Sequence, residues 1–570
     1  MTGASAAPLR WWKVRLDGQR RLLLDTVLLA VAGVAAAQLF NVLLGVARDI
    51  FLRRIAGYVP PGLPSEGASS QVVVGPHGTW LVLLTATLGG LVVGILVEWL
   101  APEAEGHGTD SLIRAFHRAG GTLRGRVAPV KLVASAITIG SGGAAGREGP
   151  IALIAATVGS WYATVTGRDE RDRRLLLLVG AAAGLSAIFR SPIGSAFFVI
   201  EVLYVDMEFE SRAMLWATLA AIMAYALNGL IVGWGALFVV PQVNSLHSPA
   251  DYGWYALLGV AAGVFSTVQP IVFYRARDTF RAMAVPRWVK PAIGGALTGA
   301  IILAYPQVIA GGYGWIQRAI DGGLTARTMG ALSVAELVAM SLTVGSGGSG
   351  GVFAPSLFMG GMLGGALASF GGEPTAPFVV VGMAAVFAGA GHVPISTMFM
   401  VTEMTGGYTL LVPAALAVML SYLIQLTLSR RLTYRGLYEA QVMSRADSPA
   451  HHTQHLEIAL RILREKHPVR VDQLGEIDLV TLLRSGIPVE LADNHRLFVG
   501  VLRKDSTAAG TTVAQSGRAL GGEGTNILGI LRGNHMIAPR PDVVFTIGDR
   551  LIVLAHADHM AALRAHLDLW

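Results

Sequence analysis

The chain has 570 residues, of which 53% are hydrophobic and only 14% charged, with 70 glycines and no cysteine. This composition excludes a disordered chain, a collagen, a disulfide scaffold and any cysteine-ligated zinc or iron–sulfur centre, and it points to an integral membrane protein. The formal charge of +7 fits the Lys and Arg that membrane proteins keep in cytoplasmic loops. No basic stripe with interleaved aromatics marks a nucleic-acid surface.

Residues 1–21 carry Arg10, Lys13, Arg15, Arg20 and Arg21, and an apolar run follows over 22–52. The run is too long for a signal-peptide core, so it predicts a retained membrane helix with a cytoplasmic N-terminus. A second span is predicted over 80–100. Uneven apolar stretches follow at 130–140, 151–165, 175–189, 192–205, 213–240, 254–274, 291–304, 331–344, 352–370, 377–390, 393–402 and 410–428. Several fall short of the roughly 20 residues that cross a bilayer core. Gly and Pro interrupt them, and irregular backbone at membrane depth is tolerated only inside protein or along a water-filled path. A solute pathway is the expectation. From about Arg430 the chain turns polar, and we read His451, His452 and His455 as part of a linker rather than a metal site. Strands are predicted at 496–502 and 526–531 with a hairpin turn at 532–535, then a segment 542–554 and a last amphipathic helix over 557–567. The expected organisation is an N-terminal segment 1–21, a membrane domain 22–442, a connector 443–490 and a small cytoplasmic α/β domain 491–570.

Two stretches align without a gap. Ile137-Thr-Ile-Gly-Ser-Gly-Gly-Ala-Ala-Gly-Arg147-Glu148-Gly149-Pro150 matches Leu342-Thr-Val-Gly-Ser-Gly-Gly-Ser-Gly-Gly-Val352-Phe353-Ala354-Pro355. Downstream, Gly180, Pro192 and Glu201 are spaced as Gly382, Pro394 and Glu403 are. Related halves with Gly-rich breaks and Pro-initiated helices mark a repeat-built transporter or channel. Pro150 and Pro355 suit the first turn of a helix, whose N-terminus offers unpaired N–H groups and partial positive charge. Gly146 and Gly149 let such backbone approach a solute. Two such ends facing each other would hold an anion without burying a full cation. A carboxylate at the same helix start, Glu148, can occupy the anion's place, and when protonated it can leave.

Gly146-Arg147-Glu148-Gly149-Pro150 and Gly351-Val352-Phe353-Ala354-Pro355 resemble signature motifs of the CLC family of chloride channels and chloride/proton antiporters, over about residues 22–442. The resemblance implies a mainly α, inverted-repeat bundle of broken and tilted helices. It also implies a homodimer in the lipid bilayer with one pore per subunit. Glu148 would be the gating glutamate. The amides of Val352 and Phe353, beside Ala354, would hold the central anion, and the backbone around Gly146, Arg147 and Gly149 the outer one. Tyr438 matches the family's anion-coordinating tyrosine, with Tyr434 as the alternative.

Two departures bear on function. The family's Gly-Ser-Gly-Ile-Pro motif is matched here by Gly106-His107-Gly108-Thr109-Asp110. His107 could donate from a ring nitrogen or carry charge at low pH, or it could point away and leave backbone amides such as that of Gly108 to line the site. Asp110 needs a partner, and Arg114 is four residues on. Second, Val202 stands where proton-coupled members often have an internal glutamate. Its neighbour Glu201 is expected to satisfy helix ends or Arg190. A passive, gated chloride channel is the first expectation, a chloride/proton antiporter using another proton route the second. A fluoride or nitrate transporter is not separated from these by sequence. A membrane enzyme would need a catalytic constellation, and none is visible. Thr343-Val344-Gly345-Ser346-Gly347 only superficially resembles a potassium filter.

Near the C-terminus, Gly510-Thr511-Thr512-Val513, Ile537-Ala538-Pro539-Arg540-Pro541-Asp542 and Gly548-Asp549-Arg550-Leu551 resemble the TrkA-C lobe of potassium-uptake regulators. That implies a dimeric cytoplasmic sensor of a small ligand such as a nucleotide, or a dimerisation lobe with no ligand. No other cofactor and no metal is expected. The setting implied is a prokaryotic plasma membrane with both termini cytoplasmic.

Overall fold

The computed structural model describes residues 7–76, 78–241, 249–445, 448–450, 489–490, 495–503, 505–516, 525–532 and 535–569. Its contacts divide the chain into Met1–Gln441 and Val442–Trp570.

The first unit is helical. Its first half holds α1 (Ala7–Arg48, continued as a π-helical stretch Asp49–Ala56), α2 (Trp80–Leu100), α3 (Thr109–Arg118), α4 (Val127–Gly140), α5 (Glu148–Val165), α6 (Glu170–Phe189), α7 (Pro192–Glu201) and α8 (Ser211–Val232). Its second half holds α9 (Pro249–Ala282), α10 (Lys290–Ala304), α11 (Tyr313–Ile320), α12 (Ala326–Gly345), α13 (Phe353–Gly371), α14 (Thr375–Gly391), α15 (Pro394–Thr405) and α16 (Leu411–Ser429). A two-stranded ribbon, β1 (Tyr58–Val59) with β2 (Val73–Val74), lies between α1 and α2 in the chain. Among the described residues, seven helices are long and apolar enough to cross a membrane.

The halves repeat down to their hydrogen bonds. After α4, Gly142 turns left-handed (φ 112°), and the Gly143 and Gly142 amides close back on Thr138 and Ile139 at 2.9 and 3.3 Å. After α12, Gly347 does the same (φ 105°), with Gly348 and Gly347 closing on Thr343 and Val344 at 3.1 Å each. Both are Schellman-type stops, which need a residue free of a Cβ penalty. They send the backbone into the breaks before α5 and α13. The two breaks then meet each other. Gly146 and Gly351, equivalent positions of the repeat, pair in an antiparallel bridge with both N–H···O distances at 2.7 Å.

A second crossing obeys the same symmetry. Glu201, at the end of α7, accepts the Ile395 and Ser396 amides at the start of α15 (3.0 and 2.8 Å). Glu403, near the end of α15, accepts the Ile193 and Gly194 amides at the start of α7 (3.2 and 3.0 Å) and the Ser191 hydroxyl at 2.5 Å. Each carboxylate caps its counterpart's helix, so α7 and α15 run antiparallel and the repeat is inverted. The expectation that Glu201 satisfies helix ends is met. Arg190 is not its partner; its guanidinium donates to the carbonyls of Ser65, Val232 and Gly235.

The apolar stretches mark the helices well, with two corrections. Helix α1 starts at Ala7, inside the segment expected to precede it, because helical hydrogen bonding does not end where hydrophobicity does. Helices α3 and α11 are missed by a search for apolar runs, since both are short, amphipathic and carry charge. The filter-like stretch at 343–347 is the end of α12 and the turn after it.

In the second unit the strands are β3 (Val489–Glu490), β4 (His495–Leu502), β5 (Thr525–Arg532), β6 (His535–Ile537), β7 (Arg550–His556) and β8 (Leu567–Leu569). They form one antiparallel sheet, ordered β3-β4-β7-β5-β6, with β8 also on β4. The predicted hairpin exists, β5 and β6 pairing Arg532 with His535. Phe498, Ile530, Phe545, Leu551, Val553 and Leu563 pack its core. The last helix is shorter than expected. Only Met560–Arg564 is α-helical, after a 3-10 turn at Ala557–His559, and the chain ends in β8 because the unpaired edge of β4 can accept a strand there. His451, His452 and His455 lie outside the described residues.

Candidate anion-binding site

The breaks before α5 and α13 and the loop before α3 converge. A Cβ on Gly149 would overlap the His107 carbonyl and meet Gly351 Cα at 3.1 Å, so only glycine lets these three backbones touch. The Gly350 amide donates to the Gly106 carbonyl at 3.1 Å. Lys131, fully buried on α4, donates to the Gly106 and Ala104 carbonyls at 2.6 and 3.0 Å. Ser349 Oγ donates to Ala104 as well, at 3.0 Å. The loop carrying His107 and Gly108 is thereby pinned by four hydrogen bonds to two of its carbonyls.

Glu148 is 1% exposed and occupies the first turn of α5. Its Oε1 accepts the Tyr313 hydroxyl from the first turn of α11, and its side chain lies beside Gly146 and Ala354. Arg147 turns the other way, pairing with Glu66 at 2.5 Å and lying over the Tyr313 ring at 5.2 Å. A cavity of about 90 Å³ on this side is bordered by Arg147, Glu66, Tyr313 and Ala145. The Gly146 amide, expected to face an anion, is spent on the Gly351 carbonyl in the bridge. Gly146 therefore contributes closeness of approach rather than a free donor. On α13, Val352 is the N-cap and Phe353 and Ala354 open the helix, all three buried. Phe353 packs against Phe189 and Phe387 at 4.6 and 4.3 Å between ring centres.

On the other side of this junction, Tyr438 is 3% exposed, 5.4 Å from the His107 ring and 6.5 Å from Phe387. Tyr434 is elsewhere, stacked on Tyr274 at 4.0 Å and bonded to Arg277 and Asp278. Of the two tyrosines, Tyr438 is the one beside the signature motifs. Asp110 does not pair with Arg114. Its Oδ2 is 3.3 Å from His107 Nε2, its Oδ1 accepts the Ala440 amide at 3.1 Å, and Arg114 reaches Glu439 at 3.7 Å instead. The left-handed turn at Gly108, just before α3, separates the two residues, and across it Asp110 meets His107. Val202 is buried at the end of α7, where its carbonyl accepts Gln441 Nε2 at 3.1 Å.

Two residues of the junction were not singled out by the motifs, Tyr313 and Lys131. Tyr313 carried a signal, because α11 is the repeat counterpart of α3. Both open after a left-handed glycine, Gly108 at φ 87° and Gly312 at φ 65°. Extending the repeat one helix upstream would have found it. Lys131 carried a weaker one, a lone cation inside an apolar helix, which is a functional or structural anchor by default.

Residues 89–426 match the family model described as voltage gated chloride channel, and residues 501–568 match the TrkA-C domain. A relative from Shigella flexneri, described as the voltage-gated ClC-type chloride channel ClcB, is 31% identical over 429 residues, covering 73% of this chain and 98% of its own. The protein of the same description from Escherichia coli strain UMN026 is 30% identical, with the same coverage. Among solved structures, a CLC-type fluoride/proton antiporter aligns with a TM-score of 0.63 at 19% identity, over 75% of this chain and 98% of that one. A slow cyanobacterial Cl−/H+ antiporter aligns with a TM-score of 0.60 at 20% identity, over 72% and 94%. At such identities these two structures speak for the fold. With its paired helix breaks, its inverted repeat and more than half its length matched, the chain belongs to the voltage gated chloride channel (CLC) family of integral membrane proteins and carries a TrkA-C domain after the membrane unit.

Proposed function

We propose that the chain is a gated pathway for chloride or a similar small anion, with one pathway in each subunit of a homodimer. The observation that carries this reading is the position of Glu148. A buried carboxylate sits in the first turn of α5, bonded to Tyr313 and beside the start of α13, where two helix N-termini direct their amides. Helix starts attract anions, and a carboxylate fixed among them competes with a mobile anion for the same field. Protonation removes the competitor's charge and opens the path. The amides of Val352 and Phe353 and the Tyr438 hydroxyl hold the central anion, and those of Arg147 and Gly149 the outer one.

The conduction is channel-like in this reading, since Val202 cannot carry a proton. A proton-coupled exchanger is the second reading, favoured by the protonatable group in the anion's own path. Reconstitution into liposomes with a chloride gradient and no proton gradient separates the two. Uphill proton movement would establish exchange; chloride flux alone supports the channel. Glu148→Ala should lose the part of the pH dependence that protonation of Glu148 confers, and an unaltered pH profile would refute Glu148 as the gate. In this reading both termini face the cytoplasm of a prokaryotic cell, and the TrkA-C domain tunes the pathway as a dimeric sensor whose candidate ligand is a small nucleotide.

A further inference from the structure

His107 and Asp110 form a pair that the pathway described so far does not use. The loop before α3 is held by Lys131, Ser349 and Gly350, so His107 has little freedom. Its side chain is 7% exposed, with Nε2 3.3 Å from Asp110 Oδ2. Its other ring nitrogen, Nδ1, is buried and has no hydrogen-bond partner among the described residues. The ring lies 5.4 Å from Tyr438 and 6.2 Å from Phe273. A cavity of about 260 Å³ reaches the pair and is lined by Gly108, Asp110, Arg114, Arg277 and Glu439.

The chemistry of imidazole gives this arrangement a direction. A carboxylate at Nε2 keeps the proton there, so in the neutral ring Nδ1 presents a lone pair. A lone pair beside an anion repels it, and a buried acceptor without a donor is itself costly. In the protonated ring Nδ1 becomes a charged N–H donor, the stronger class of hydrogen bond to an anion. The Asp110 carboxylate stabilises that imidazolium from the other side and is itself fixed by the Ala440 amide.

Several of the remaining charges nearby have other partners. On α4, Lys131 is committed to the loop carbonyls. On α9, Arg277 pairs with Glu439 at 2.7 Å and with Asp278 at 3.3 Å, and Arg114 also reaches Glu439. Glu103 pairs with Arg124. Glu105 and Glu98 share the cavity with Arg281 and Arg287, and Lys290 donates to the Arg281 carbonyl. Glu148, at the start of α5, is bonded to Tyr313.

We propose that His107 and Asp110 are a proton-binding pair through which an anion and a proton bind together, so that occupancy of the central anion site depends on protonation reached from the His107 side. This rests on the reading above that the junction holds an anion. It adds a second titratable control, separate from Glu148, at the opposite end of the site. By linkage the dependence is reciprocal: a bound anion must raise proton affinity by the factor that a proton raises anion affinity.

Chloride titration calorimetry on the full chain in detergent tests this, using Glu148→Gln to remove the titrating competitor. Apparent chloride affinity should fall roughly tenfold between pH 5.5 and 8, the window in which imidazole changes charge. Chloride binding near the middle of that window should also take up protons, read from the dependence of the heat on the buffer's ionisation enthalpy. Adding His107→Ser, which keeps a neutral donor, should flatten the profile and abolish proton uptake. Adding Asp110→Asn should reduce the proton uptake, because the protonated ring loses its carboxylate partner. A flat profile or no proton uptake in Glu148→Gln alone overturns the proposal without needing the other variants. An unchanged slope with His107→Ser overturns it as well. Absence of chloride binding at every pH would instead refute the anion site itself.

Discussion

Replacing Tyr313 by Phe isolates one hydrogen bond. The hydroxyl donates to Glu148 Oε1, while the ring makes separate contacts with Phe238, at 5.7 Å between ring centres, and with Arg147, at 5.2 Å. Phe keeps those ring contacts and loses only the donor. Glu148 is 1% exposed, so water cannot easily replace the lost partner. A hydrogen bond to a charged group contributes about 1.5–3 kcal/mol. If Glu148 in its seated position blocks the path, that energy favours the blocked state and disappears in Tyr313→Phe. The ratio of open to blocked should rise roughly ten- to hundredfold, since about 1.4 kcal/mol is a factor of ten. The assay is chloride efflux from liposomes at neutral pH for wild type, Tyr313→Phe, Glu148→Ala and the double variant. Tyr313→Phe alone should accelerate efflux. In the Glu148→Ala background it should change little, because the partner is gone. Wild-type efflux from Tyr313→Phe, or the same acceleration with and without Glu148, would refute the claim that the hydroxyl holds the carboxylate shut.

Gly149→Ala should abolish folded protein in detergent, measured by size-exclusion profile, because the added Cβ meets the His107 carbonyl and Gly351 backbone, neither of which can move alone. Glu201→Ala should lower stability by about 1–3 kcal/mol, seen as a lower Tm, since two amides at the start of α15 lose a charged acceptor. Proton movement should not change in that variant if its role is capping. Lys131→Met should free the carbonyls of Ala104 and Gly106 and reduce chloride flux more than it reduces expression, because the loop they hold carries His107. In the TrkA-C domain, Asp549 is 2% exposed and accepts Arg532 at 2.9 and 2.7 Å and the Thr546 amide at 2.8 Å. Arg532→Ala should cost about 2 kcal/mol, the partial exposure of Arg532 placing it below a fully buried pair, and should speed proteolysis within residues 525–556 of the full chain.

The membrane class, the helix breaks and the existence of a repeat were legible in the sequence because each has a local cause, whereas the inversion of the repeat was implied only by the family resemblance until the capping of α7 and α15 showed it. Apolar runs bury in lipid wherever they occur, and Gly and Pro set backbone geometry through their own atoms. The alignment of Gly146 with Gly351 was therefore visible from order and spacing. Their antiparallel pairing was not, because a bridge between residues 205 positions apart depends on how two halves pack. The same holds for charge. Glu201 and Glu403 could be read as equivalents, yet only packing places each at the other's helix start. Asp110 and Arg114 have good helical spacing, but α9 and the 438–440 segment offer Arg114 the Glu439 carboxylate, and the start of α3 turns Asp110 to His107. Tyr313 lies 165 positions from Glu148, and no pattern along the chain sets a contact at that distance. Sequence alone determined which residues can donate, accept, break a helix or cross a membrane, since those are properties of the residues themselves. Tertiary structure decided which of them meet, because partner choice in a buried site is settled by competition among neighbours that only the packed fold brings within reach.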